Sequence, residues 1–413
     1  MSALPSSRVD AKRFGRRFEA LAAIGATAAG GVDRQALSAA DACAQALMVQ
    51  WGRERGFLAL HDAAGNLFLR RPGTLPGEPL VLSGSHLDTQ PTGGRFDGVY
   101  GVLAALEALE ALEDAGLACR RGIEAVAWMN EEGSRFAPGM MGSAVLTGAR
   151  TLRATLAVTD ADGISVEEAL RETRSALPAL ADRPLDTPVC AYVEAHIEQG
   201  PVLEREGIPL GVVTGIQGKH TFRVEVRGEA AHAGTAPRRE RRDALLAATA
   251  MVQAMASEFA DAEDIIKFTV GRFDVTPNAP SVVPRRVAFS IDLRHPESQR
   301  LQALAARVAQ LCDAHRGPCE VQVERLVAAD AIAFDAGIRD RIATAAAHLG
   351  VPVLSLPSLA GHDAGLVARI APAGMIFIPC RAGITHHEDE FAEMDHMIAG
   401  VRVLADVLHG LAR

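Results

Sequence analysis

The hydrophobic pattern switches between two periods along the first 150 residues. Apolar side chains recur at helical spacing over 33–51 and over 98–116, where Val99, Val102, Leu106, Leu109 and Leu112 fall on one face. Between these segments lies LVLSGSHLD (80–88), apolar at its start and polar at its end. A strand buried on both faces reads this way, and its polar tip marks the sheet edge at which chemistry collects. The design repeats in IEAVAWMNEEG (123–133) and AYVEAHIEQG (191–200). Polar-tipped strands alternating with helices predict an α/β layer, a mixed, mostly parallel sheet flanked by helices.

The texture changes near Gly215. TFRVEVRGEA (221–230), RRVAFSIDLRH (285–295) and CEVQVERL (319–326) alternate with period two, as half-exposed antiparallel strands do. Helical stretches at 241–258 and 297–315 separate them, and GMIFIPC (374–380) then reads as another buried strand. The expectation is a discontinuous catalytic domain, 1–214 and 327–413, interrupted by an inserted α+β domain, 215–326, with an antiparallel sheet.

Composition narrows the function. The chain has 413 residues, 48% of them hydrophobic and 23% charged, as a globular protein of two ordinary domains would. A net charge of −9 leaves no basic field to displace counterions from phosphates, so nucleic acid is not an expected partner. Only the run Arg238 to Arg242 departs from that balance. No apolar run approaches the roughly 20 residues a membrane span needs, so no membrane partner is expected. The start, MSALPSSRVDAKRFGRRF, has no apolar signal core. Six scattered cysteines without CxxC spacing read as reduced thiols, and a cytoplasmic location is expected.

The strand tips and their following loops collect His86, Asp88, Asp97, Glu131, Glu132, His196 and His386. Singly these have ordinary explanations: a surface histidine, a solvated pair of glutamates, a glycine-rich turn. Jointly, at the ends of buried strands, they would be costly without a cation. Imidazoles and carboxylates without cysteine suit zinc, manganese or cobalt in a catalytic site. Five ligands exceed one tetrahedral zinc but fit two ions that share a carboxylate. Asp97 is the expected bridge, with His86 and His196 on one ion and Glu132 and His386 on the other.

SHLDT, the aspartate of GGRFDG, NEEG, HIEQGP, GEAAHAGTAP, PNAPSVVP, DLR, GHDAG and GITHHEDE occur in series along nearly the whole chain. Together they resemble the M20 metallopeptidase-like amidohydrolases, in the branch of N-carbamoyl-L-amino-acid hydrolases, allantoate amidohydrolases and β-ureidopropionases. The resemblance implies two divalent ions (zinc or manganese, with cobalt or nickel accepted) and cleavage of a carbamoyl or ureido C–N bond. It also implies a homodimer formed through the inserted domain. His86, Asp97, Glu132, His196 and His386 match the family's ligands, Glu131 its general base, and Asp88 a carboxylate orienting the His86 imidazole. His232 matches an oxyanion-stabilising histidine that completes the partner subunit's site. Gln199, Asn278, Arg294 and His362 match contacts to a small-molecule ureido acid, Arg294 clamping its carboxylate. Asp243 reads as structural support.

The chain departs from the family pattern at Arg238, where methionine is usual, at Thr385, where serine is usual, and at Glu388, where proline is usual. The last two flank His386 and bear on substrate preference. The leading expectation is an N-carbamoyl-L-amino acid cleaved to amino acid, CO2 and ammonia. Allantoate, N-carbamoyl-β-alanine or a peptide are the alternative substrates, and an inactive binding relative is the non-enzyme reading.

Overall fold

The computed structural model describes residues 4–413. The chain divides into two compact units, one of Thr214 and earlier residues together with Phe334–Arg413, the other Gly215–Ala333.

The first unit is built on a sheet whose strands are, in chain order, β1 (Leu58–His61), β2 (Leu67–Arg71), β3 (Leu80–His86), β4 (Ile123–Trp128), β5 (Ala181–Asp182), β6 (Val189–Ile197) and β7 (Leu210–Ile216). The second unit contributes β8 (Gly218–Arg227), β9 (Ala231–His232), β10 (Lys267–Thr269), β11 (Phe273–Thr276), β12 (Val282–Val283), β13 (Arg286–His295), β14 (Glu320–Ala329) and β15 (Ile332–Ala333). The chain then returns through β16 (Val353–Ser358) and β17 (Ala373–Ile378).

The large sheet runs β15-β7-β17-β6-β3-β4-β2-β1-β5, with β16 also on β7. Its centre, β17-β6-β3-β4, is parallel. Antiparallel strands extend both sides of that centre, β7 beyond β17 and β2 with β1 beyond β4. The sheet is therefore mixed, as expected, with its parallel strands in the middle. The middle strands are buried and mostly apolar, with Glu124 and Glu194 as buried exceptions, and β7 is buried likewise, whereas β1 starts exposed at Leu58.

The helix at Val99–Asp114 is buried on every side as far as Leu112, more than the single apolar face implies. Its alanines let neighbouring backbones approach closely. Glu107 and Glu110, which would otherwise be stranded, ion-pair with Arg13 and Arg17 at 2.7 Å each. The helix expected over 33–51 begins only at Ala39, because Ser38 caps it by accepting from the Asp41 N–H. Residues 33–34 lie outside any helix; the Arg34 N–H donates to the Thr89 hydroxyl, and the Thr89 N–H donates to the Arg34 carbonyl.

In the second unit β10-β13-β8-β14 form an antiparallel sheet, with β11 also on β13. Ala244–Glu258 and Ser298–Ala314 pack on it through Val224, Val226, Phe289, Ile291, Met251 and Val308. Asp243 caps the first of these helices by accepting from Leu245 and Leu246 N–H. The third long strand runs on to Ala329. No helix among the described residues is long and apolar enough to cross a membrane.

Candidate metal centre

Parallel pairing of β17, β6, β3 and β4 puts their C-terminal ends on one sheet edge. His86 ends β3, Glu131 and Glu132 follow β4, and His196 lies near the end of β6. His386 belongs to the loop beyond β17, with φ +53°. Asp97 stands just before the helix Val99–Asp114, separated from it by Gly98 at φ +67°. A Cβ on Gly98 would lie 2.4 Å from the His86 ring, so glycine lets the helix start pack against that imidazole.

The two oxygens of Asp97 face different partners. Oδ1 is 3.5 Å from His86 Nε2 and 3.1 Å from His196 Nε2. Oδ2 is 3.4 Å from His386 Nε2, which is itself 3.4 Å from Glu132 Oε2. Donor atoms of His86, Asp97 and His196 form one cluster within metal-ligating reach, and those of Asp97, Glu132 and His386 form another. Glu131 stands beside the first, its Oε2 3.6 Å from His86 Nε2.

Hydrogen bonding fixes what these nitrogens offer. His86 Nδ1 lies 2.8 Å from the Asp88 carbonyl and His196 Nδ1 2.9 Å from the Ile197 carbonyl, so each Nδ1 carries the proton. Each Nε2 therefore turns a lone pair toward carboxylate oxygens. His196 Nε2 is buried without a hydrogen-bond partner, although an Asp97 oxygen is 3.1 Å away. Lone pairs converging in this way fit a cation between them.

Asp88, Asp97, Glu131, Glu132, Glu194, Asp363 and Glu390 gather around this edge. No lysine or arginine among the described residues ion-pairs with any of them. Burial pushes Glu131 well above the usual carboxylate range; His86 opposes this, and Asp363, Glu132 and Asp88 reinforce it. Burial and then Asp97 raise Glu132 as well. The missing positive charge is what a dinuclear divalent-metal site contributes, and the donor set suits one.

The remaining expected residues occupy distinct places. The Asp88 carboxylate does not bond the His86 ring: Oδ1 is 3.9 Å from Nδ1, and the Asp88 backbone carbonyl orients the imidazole instead. Its carboxylate accepts from the Glu131 and Glu132 N–H groups at 3.2 and 3.1 Å, fixing the turn that carries both glutamates. Gln199, at φ +56°, donates through Nε2 to Asp97 Oδ2 at 2.8 Å. His362 is buried with its ring 4.6 Å from that of His196 and its Nε2 2.9 Å from Ser358 Oγ.

In the second unit, His232 Nδ1 accepts from the Gly234 and Thr235 N–H groups, which leaves the proton on Nε2. Arg241, from the basic run, donates to the Ala233 and Ala236 carbonyls and so pins the loop that bears His232. Asn278 is exposed at φ +56°. Arg294 donates through Nε and Nη2 to Asp292. Sequence reasoning missed several supports: Gln90, which donates to Glu132 at 2.8 Å; Glu194, which accepts from Ser85, Tyr192 and Ala364; and Arg241. None carries a local pattern that would reveal it.

A mixed α/β sheet whose edge joins histidine and carboxylate clusters is the framework of a metal-dependent hydrolase. Residues 82–410 match the model of peptidase family M20/M25/M40, and the chain belongs to that family. It is 37% identical over 402 residues to an N-carbamoyl-L-amino-acid amidohydrolase of Rhizobium meliloti, covering 96% of this chain and 95% of the relative. It is 34% identical over 403 residues to an allantoate amidohydrolase of Bacillus subtilis (strain 168), covering 96% of each. The crystal structure of an amidase of the hydantoinase/carbamoylase family from Burkholderia multivorans matches with a TM-score of 0.89 and 40% identity, over 98% of both chains.

Proposed function

We propose that this protein hydrolyses the ureido C–N bond of an N-carbamoyl-L-amino acid, releasing the amino acid, CO2 and ammonia. The observation that carries the reading is Asp97, whose two oxygens face two separate histidine–carboxylate sets while Glu131 stands alongside. The relatives named for carbamoyl-amino-acid and allantoate hydrolysis support it across almost the full chain.

In this reading His86 and His196 would hold one ion and Glu132 and His386 the other, with Asp97 serving both. Bound ions would lower the pKa of an attacking water and offset charge on the attacked carbonyl oxygen. Glu131 takes the water's proton on its carboxylate and returns it to the leaving nitrogen. His232 offers an Nε2–H to the carbonyl oxygen, as its tautomer allows. Arg294, which also donates to Asp292, clamps the substrate carboxylate. Gln199, Asn278 and His362 complete the polar contacts.

The same reading makes the protein a homodimer joined through the second unit. β14 is an edge of its sheet among the described strands and exposes Leu326 and Val327, which favours pairing with a second copy. Six cysteines without a disulfide support a reducing, cytoplasmic location. Allantoate is the second candidate substrate, on the strength of the Bacillus subtilis relative.

The test is ammonia release by manganese- or zinc-loaded protein across N-carbamoyl-L-amino acids, N-carbamoyl-β-alanine, allantoate and dipeptides. Release from an N-carbamoyl-L-amino acid, lost on chelation and restored by metal, is expected. Silence on every ureido compound, with amino acid released from a dipeptide, overturns the proposal.

A further inference from the structure

A carboxylate shared by two ions must hold its plane, yet the aspartate χ2 torsion is broad and sets no plane by itself. Asp97 therefore needs an external constraint, and the structure contains one. Glu390, 293 residues further along the chain, places Oε1 against the backbone, accepting from the Phe96 N–H at 2.9 Å and the Asp97 N–H at 3.0 Å. Thr385 Oγ1 lies 3.0 Å from both Glu390 Oε2 and Asp97 Oδ2, and its single proton bonds one of the two carboxylates at a time. The contacts close a ring: Glu390 to the Asp97 backbone, along the Asp97 side chain to Thr385, and back to Glu390. Gln199 Nε2 adds a donor to both Asp97 Oδ2, at 2.8 Å, and Thr385 Oγ1, at 3.2 Å.

The ring is tightly built. A Cβ on Gly94 would lie 2.0 Å from Glu390 Oε1, so the loop before Asp97 rests directly on this carboxylate. Glu390 is 3% exposed and has no lysine or arginine partner, so only these hydrogen bonds offset its desolvation. Thr385 immediately precedes His386, so one hydroxyl ties the loop bearing that histidine to the carboxylate oxygen facing it.

We propose that Thr385 and Glu390 are positioning residues that brace Asp97 as a bridge, and that the brace acts chiefly on the ion held by Asp97 Oδ2, Glu132 and His386. Oδ1 lies outside the ring and is set by its own partners, His86 and His196. The inference rests on the two-ion reading above.

The experiment is a manganese titration of the metal-free protein by calorimetry, with electron paramagnetic resonance of the loaded forms, for the parent, Thr385→Ser, Thr385→Val and Glu390→Ala. The parent should take two ions that are magnetically coupled; a single ion in the parent would overturn the two-ion reading and the brace with it, whereas two ions in the parent leave the variants to decide the brace alone. Thr385→Ser keeps the hydroxyl and should behave as the parent. Thr385→Val should bind the first ion unchanged and the second about 10–100-fold more weakly, the usual cost of losing an outer hydrogen bond at a metal site. Its coupling signal should fall accordingly. Thr385→Val binding both ions with parental affinity overturns the brace. Where Glu390→Ala folds, as judged by a cooperative melt, the double variant Thr385→Val with Glu390→Ala should lose no more second-ion affinity than Glu390→Ala alone; additive losses overturn the shared ring.

Discussion

At the residue scale, two buried groups have consequences that can be measured. Glu131 is partly buried, and its Oε2 lies 3.6 Å from His86 Nε2. Glu131→Gln keeps the shape and removes the basic oxygen. It should leave two metals bound by elemental analysis and lower kcat for ammonia release by about 10²–10⁴-fold; residual activity within tenfold of the parent would remove Glu131 from the base role. His61 concerns stability instead. Burial, assisted by Arg174 and opposed by Asp182, pushes its imidazole from 6.5 down to about 4. The native state thus holds the neutral form, while the unfolded chain takes up a proton below pH 6.5. Its contribution is fully present above that pH and is lost as pH falls through about 4. The shift corresponds to roughly 3 kcal/mol. Urea unfolding of His61→Asn against the parent, at pH 7 and pH 4.5, should show a shallower acid loss in the variant. Comparing variant with parent separates His61 from the carboxylates that titrate in the same range.

At the element scale, the site depends on where helices and strands stop. β3 delivers His86 at its last residue, and the helix from Val99 starts directly behind that ring. Gly98 makes the close approach possible, both by its positive φ and by the missing Cβ. Gly98→Ala should cost about 1–3 kcal/mol from backbone strain. It should also displace His86, so that weakened metal binding accompanies a lower Tm. A variant with parental metal affinity would show that the helix start is not what seats the imidazole. The turn after β4 is held differently: Asp88 accepts both N–H groups of the glutamate pair, so a carboxylate that sequence alone assigns to an imidazole instead shapes the backbone.

At the scale of the whole molecule, charge and assembly dominate. The carboxylates around Asp97 repel one another in a buried setting, and divalent ions relieve that repulsion. An ion at one hundred times its Kd stabilises the folded state by about 2.7 kcal/mol. Scanning fluorimetry should therefore show Tm rising by several degrees when manganese is added to chelated protein, and an unchanged Tm would count against the site. The exposed edge strand bears on assembly. Leu326→Glu places a charge on β14, where Leu326 is 56% exposed, and should convert a dimer to monomer in sedimentation or light scattering. A dimer that persists would exclude that edge as the interface.

Local pattern carried much of this protein. Apolar runs ending in polar or charged residues located β3, β4 and β6, and a bare apolar run located β17, because a strand covered on both faces is mostly apolar and changes character where it meets solvent. The histidines and carboxylates at those tips were legible for the same reason. Period-two alternation marked β8 and β13, whose one face lies on the helices. The antiparallel strands β1 and β2 left little trace, since short strands are decided by their neighbours more than by their own residues. Nor could sequence say that Asp97 would turn one oxygen to each histidine set, that Asp88 would hold a backbone turn, or that Arg294 would pair with Asp292. Periodicity records what a residue experiences from its own segment. The bond from Asp97 to Glu390 joins positions 293 residues apart, and only the packed sheet edge brings them together.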